Sequence, residues 1–97
     1  MKAVYPVCCG VDVHKSFLVA IITTTHSLEP HYEKKRFSVY NRDLHLFADW
    51  LISNNCFDLC MESTGKYWIP VFNLLEDEIN VVIANPKWVK IAISLVR

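Results

Sequence analysis

Two acids stand where apolar strands normally carry none. Asp12 interrupts Val7-Cys8-Cys9-Gly10-Val11-Asp12-Val13, and Glu62 closes Phe57-Asp58-Leu59-Cys60-Met61-Glu62 ahead of Ser63-Thr64-Gly65. A carboxylate inside such a run is costly to bury unless something pairs with it. Two carboxylates brought to one solvated cleft suit a hard divalent cation such as Mg2+ or Mn2+, which takes oxygen ligands and keeps several waters. In a two-metal site such ions activate an attacking oxygen and stabilise a leaving one during phosphodiester cleavage or strand transfer. The blander readings are a turn acid capping the backbone of His14 or Lys15, and a surface acid ahead of a helix.

Other residue types near these acids allow lesser roles. His14 and Lys15 follow Asp12 and are candidates for contact with a nucleic-acid phosphate, against the simpler reading of solvated turn residues. Lys66 and Tyr67 open a helix beside the same cleft and are nucleic-acid-binding candidates, against a solvated Lys and a core Tyr. Gly65-Lys66 is not a phosphate-binding loop, because Cys60 occupies the first glycine position and Tyr67 the Ser/Thr position. Ser63 has no histidine and second acid arranged for a hydrolase, so it is not read as a nucleophile.

The elements that must position these residues follow from pattern. Residues 3–13 form a central strand with apolar residues on both alternations, and His14-Lys15-Ser16 make a short hairpin into an antiparallel strand over 17–25. The chain turns at His26-Ser27-Leu28-Glu29-Pro30 into a third strand, 31–39. Its Glu33-Lys34-Lys35-Arg36 reads as an exposed edge whose charges discourage pairing, or as a phosphate-contacting patch. Asn41 is the expected N-cap of a helix through Ser53, with Leu44, Phe47, Trp50 and Leu51 as its core stripe and Asn54-Asn55 as its stop. A parallel strand over 56–62, a helix over 66–77 capped by Ser63 or Thr64, and a strand over 79–84 come next. Asn85 and Pro86 then start a third helix with Trp88, Val89, Ile91, Ala92 and Leu95 on its apolar side.

Right-handed crossovers turn this series into an α/β, mixed five-stranded sheet of order 3-2-1-4-5 with helices on its faces. That is a ribonuclease H-like arrangement. It makes strands one and four neighbours and brings Asp12 and Glu62 to about 5 Å, towards the strand ends where open α/β sheets bind ligands.

Composition sets the limits. The chain has 97 residues, enough for one domain and one core. Its formal net charge is +0, so no global attraction to nucleic acid or anionic membrane is expected, and any such binding must be local. Cys8, Cys9, Cys56 and Cys60 lack zinc-ribbon spacing and read as reduced, core-filling thiols. With no spanning segment and no signal peptide, a cytoplasmic location without membrane partners is expected.

Three segments carry a resemblance. Gly10-Val11-Asp12-Val13-His14-Lys15, Met61-Glu62-Ser63-Thr64-Gly65-Lys66-Tyr67-Trp68 with Pro70 and Asn73-Leu74-Leu75-Glu76, and Ala84-Asn85-Pro86 with Val89-Lys90 resemble the N-terminal part of the DEDD transposases of insertion-sequence family 110. The resemblance implies a RuvC-like domain with four acidic metal ligands, a coiled coil and a separate domain with a serine nucleophile, in enzymes that recombine DNA. It implies that Asp12 and Glu62 are the first and second catalytic, metal-binding acids. The third and fourth acids would follow the third helix, where this chain reads Lys90-Ile91-Ala92-Ile93-Ser94-Leu95-Val96-Arg97 and offers neither.

The resulting expectation is a single domain, residues 1–97, forming the N-terminal part of a longer DNA transposase. It would bind Mg2+ or Mn2+ weakly and be inactive alone. DNA is the expected partner, with a guide-type structured RNA in the full-length family, and a homo-oligomer would bury Ile91, Ile93, Leu95 and Val96. Two alternatives stand beside it: an actin-like or sugar-kinase-like ATP-binding half, and a non-enzymatic transposase remnant acting by protein association. The ATP-binding alternative expects a glycine-rich hairpin after the acid, and Val13-His14-Lys15-Ser16 contains no glycine.

Overall fold

The computed structural model describes residues 7–25, 30–63 and 65–83. Strands β1 (Val7–Val13), β2 (Phe17–Thr24) and β3 (His31–Ser38) precede helix α1 (Asn41–Ser53). Strand β4 (Asp58–Ser63), helix α2 (Trp68–Leu75) and strand β5 (Asn80–Ile83) complete the described elements. The sheet order is β3-β2-β1-β4-β5, with β1–β2 and β2–β3 antiparallel and β1–β4 and β4–β5 parallel. The expected mixed α/β sheet is therefore the observed one.

Strand alternation decides where the core forms. Cys9, Val11 and Val13 pair with Ile22, Ala20 and Leu18, and all six are buried on one side of the sheet. Helix α1 lays Leu44, Phe47, Trp50 and Leu51 on that side, and α2 adds Val71 and Leu75. Phe37 of β3 joins through Phe47 and Trp50, with ring centres 5.2 and 5.6 Å away. The expected stripe of α1 is the buried one, because residues three and four apart share a helix face.

Element ends differ from the sequence reading for local reasons. Tyr40, not Asn41, occupies the N-cap position of α1 and makes no side-chain cap bond; Ser38 Oγ instead donates to Asp43 Oδ2 at 2.5 Å. At the other end Asn55 adopts the left-handed conformation with φ 55°, and Asn54 Nδ2 donates to the Trp50 carbonyl at 2.8 Å. Strand β4 starts at Asp58 rather than Cys56, since Cys56 N still donates to the Leu51 carbonyl behind α1.

Helix α2 begins at Trp68, with Lys66 and Tyr67 in the turn before it and Pro70 in its first turn, where a missing N–H costs no bond. It ends at Leu75, two residues short of the expected Asp77. Residues 3–6, the turn at 26–29, Thr64, Ala84 and the third helix expected from Asn85 lie outside the described residues. Both described helices pack on the same side of the sheet. Among the described residues no helix is long and apolar enough to cross a membrane.

Candidate functional site

Strand register brings the two acids together. Asp12 of β1 lies directly opposite Glu62 of β4 in the parallel pair. Neighbouring strands lie about 5 Å apart, and directly paired residues project to the same side. That side is the one opposite the helices, because Val11 and Val13 flank Asp12 and Met61 precedes Glu62, and all three point into the core. The expected juxtaposition of Asp12 and Glu62 is present.

Their surroundings differ. Asp12 is solvent-facing, and its Oδ2 lies 3.2 Å from His14 Nε2. His14 in turn stacks on Phe17, ring centres 4.6 Å apart at 22°. The hairpin is held shut by His14 N donating to the Phe17 carbonyl at 2.8 Å. His14 is thus fixed on three sides as a partner of Asp12, while Lys15 at the tip is exposed. Glu62 is half-buried, and its Oε2 is buried without a hydrogen-bond partner among the described residues. An unpaired buried carboxylate oxygen costs about 1–3 kcal/mol or more, so this atom calls for a positive partner.

After Glu62 the chain turns through Gly65, whose φ of +66° lies in the left-handed region. A Cβ there would meet nothing within 4 Å, so backbone conformation rather than space demands glycine. Lys66 and Tyr67 sit exposed in this turn, following the Glu62 strand end. The structure places them on the same connection as Glu62 and shows no bond from either to the acids.

Two oxygen donors of this kind fit a cation that keeps most of its own water. Among the described residues no group of three or more His, Cys, Asp or Glu is disposed to hold a metal ion. The four cysteines are free. Cys9 and Cys56 are buried on the helix side; Cys8 and Cys60 are half-buried on the acid side. Burial pushes the Cys8 thiol from 9.0 up to about 11, with Cys56, Asp58 and Cys60 adding repulsion, and burial also raises Cys60. Cys9 is held well above the usual thiol range by burial, whereas a hydrogen bond from Cys9 holds Cys56 below it. The raised thiols of Cys8, Cys9 and Cys60 are suited to filling space rather than to attack.

Sequence reasoning missed Arg36 and Phe17 as neighbours of the site. The signal was available: counting β3 in twos from Phe37 puts Arg36 on the acid side.

Solved structures share this sheet. The crystal structure of the Aquifex aeolicus member of the Ppx/GppA protein family matches with a TM-score of 0.52 over 84% of this chain and 36% of its own, at 6% identity. A type II variant of the Aquifex aeolicus Ppx/GppA phosphatase matches with a TM-score of 0.53 over the same shares, at 5% identity. What is shared is the fold. This chain spans about a third of the length of those proteins. No protein-family model and no curated protein matches it.

These findings overturn the transposase reading, and with it transposition, DNA recombination and a specifically RuvC-like kinship. The solved structures that share this fold belong to the Ppx/GppA family and are not transposases. The physical reason for the misreading is that one fold hosts many unrelated functions, so two acids brought together by strand order do not by themselves name a reaction. Short motifs around them report the sheet and not the reaction.

Proposed function

We propose that this chain is a phosphate-handling domain of the actin-like or sugar-kinase-like class, acting on a phosphoester or phosphoanhydride with the help of a divalent cation. The observation that carries the reading is the in-register pair Asp12 and Glu62, one of whose oxygens is buried and unpaired among the described residues. The fold likeness to Ppx/GppA phosphatases supports the phosphate class.

Asp12 and Glu62 would hold Mg2+ or Mn2+, which when bound supplies charge to neutralise phosphate oxygens and to polarise a water. His14 holds the Asp12 carboxylate in place through the 3.2 Å contact. Lys15 and Lys66 stand on the two turns that follow β1 and β4, and each would add positive charge toward a bound phosphate. The hairpin lacks the glycines that free backbone N–H groups to cradle phosphate. Side chains must therefore make the contacts that such a loop would make in a glycine-rich relative.

Calorimetric titration of Mn2+ into the chain tests the metal site. Asp12→Asn and Glu62→Gln are each expected to weaken binding by roughly tenfold or more, with paramagnetic broadening of amide signals centred on residues 12 and 62. Broadening centred elsewhere, or affinity unchanged in both variants, would reject the reading.

A further inference from the structure

The sheet register puts positive charge on the same side as the two acids. Reading across the strands, Glu62 pairs with Asp12, Asp12 with Val19, and Val19 with Arg36. These four form one row. In the next row Cys60, Gly10, Ile21 and Lys34 are paired in the same way. Alternation sends Lys35 to the opposite side, where its Nζ lies 5.8 Å from the centre of the Trp50 ring. The three consecutive cations of β3 are thereby sorted, two with the acids and one with α1.

Arg36 is held but not neutralised. Its guanidinium carbon lies 3.9 Å from the centre of the Phe17 ring, the same ring that stacks on His14, whose Nε2 meets Asp12. Among the described residues no carboxylate pairs with Arg36. An aromatic face steadies a guanidinium without using its N–H donors, which stay in the plane of the group and match two oxygens of a phosphate.

We propose that Arg36, seated on Phe17, is the anion-contacting residue of this site, receiving a phosphate group through its paired N–H donors while Lys34 adds charge beside it. The proposal rests on the phosphate-handling reading above and names a contact which that reading leaves open. Arg36 and Asp12 are two strands apart, about 10 Å between backbones. The guanidinium would therefore meet a phosphate on the side away from the acids, where their repulsion of the phosphate is weaker. Phe17 is the positioning residue, since it touches both the guanidinium and the imidazole that braces Asp12.

Inorganic phosphate titrated into the metal-free full chain, followed by amide chemical shifts, tests this. Wild type is expected to shift in β3 and the β1–β2 hairpin, and Arg36→Gln to bind roughly tenfold more weakly. Arg36→Lys is expected to recover only part of the loss, because an ammonium lacks the two-pronged geometry. Phe17→Leu should weaken binding by a smaller factor with the charge intact. Each variant's amide spectrum reports its fold, and Mn2+ affinity of Arg36→Gln should equal that of wild type. No phosphate binding by wild type, or equal binding by Arg36→Gln, overturns the proposal. Failure of wild type to bind Mn2+ rejects the metal reading instead, and phosphate shifts centred on Arg36 would still uphold the anion contact.

Discussion

The two sides of the sheet obey opposite rules although the same strands build both. On the helix side Val11, Val13, Leu18, Ala20 and Met61 are at most 1% exposed and carry no polar side-chain atom able to form a strong hydrogen bond. On the other side those strands present Asp12, Arg36, Cys60 and Glu62, each half-buried or exposed. Period-two alternation makes this division possible, since neighbours in sequence never share a side. The comparison teaches that the two sides are separable in stability: substitutions on one side should unfold the protein, and substitutions on the other should leave it folded.

The sharpest way to break that division is to carve the apolar side. Phe47 is fully buried between α1 and the sheet, and Phe47→Ala is expected to cost about 3–5 kcal/mol, read as a lower urea midpoint. A loss near zero would mean that α1 does not close the core.

Gly65→Ala probes the turn that follows Glu62. Its strain at φ +66° should cost about 1–2 kcal/mol despite the open space around it. A neutral result in thermal unfolding would show that the turn relaxes freely.

The acid side should give smaller effects on stability. His14 and Asp12 side chains are 39% and 48% exposed, so their pair is well screened. His14→Ala is expected to change stability by under about 1 kcal/mol, measured by chemical unfolding at neutral pH.

Cys8 supplies the mildest test, through pH. Its thiol rises from 9.0 to about 11 on folding, so the native state keeps the proton longer than the unfolded chain does. This contribution is fully present below pH 9 and declines as pH rises from about 9 through about 11. Unfolding midpoints should fall over that window, and Cys8→Ala should flatten the decline.

Much of the fold was legible because it rests on strong periodic signals. The α1 stripe of Leu44, Phe47, Trp50 and Leu51, the hairpin at His14, and two helix-linked strands were enough to give the sheet order. Asp12 beside Glu62 followed from that order alone. Helix ends were less legible: Tyr40 takes the cap position with no side-chain cap bond, while Ser38, two residues earlier, donates to Asp43 in the first turn. The Asp12–Glu62 pair could be placed, yet no reaction could be read from it, because one fold hosts many unrelated functions. Arg36 was legible only as part of a charged edge until register showed which side it joins.

The parallel contact between β1 and β4 has one more effect. Val11 faces Met61 and Asp12 faces Glu62 in successive rungs. Sliding one strand by a single residue would drive Glu62 into the hydrocarbon interior and lift Met61 out of it. The greasy rung is therefore the gauge block for the charged one. Any change that loosens Met61 would detune how closely the two carboxyls are held side by side.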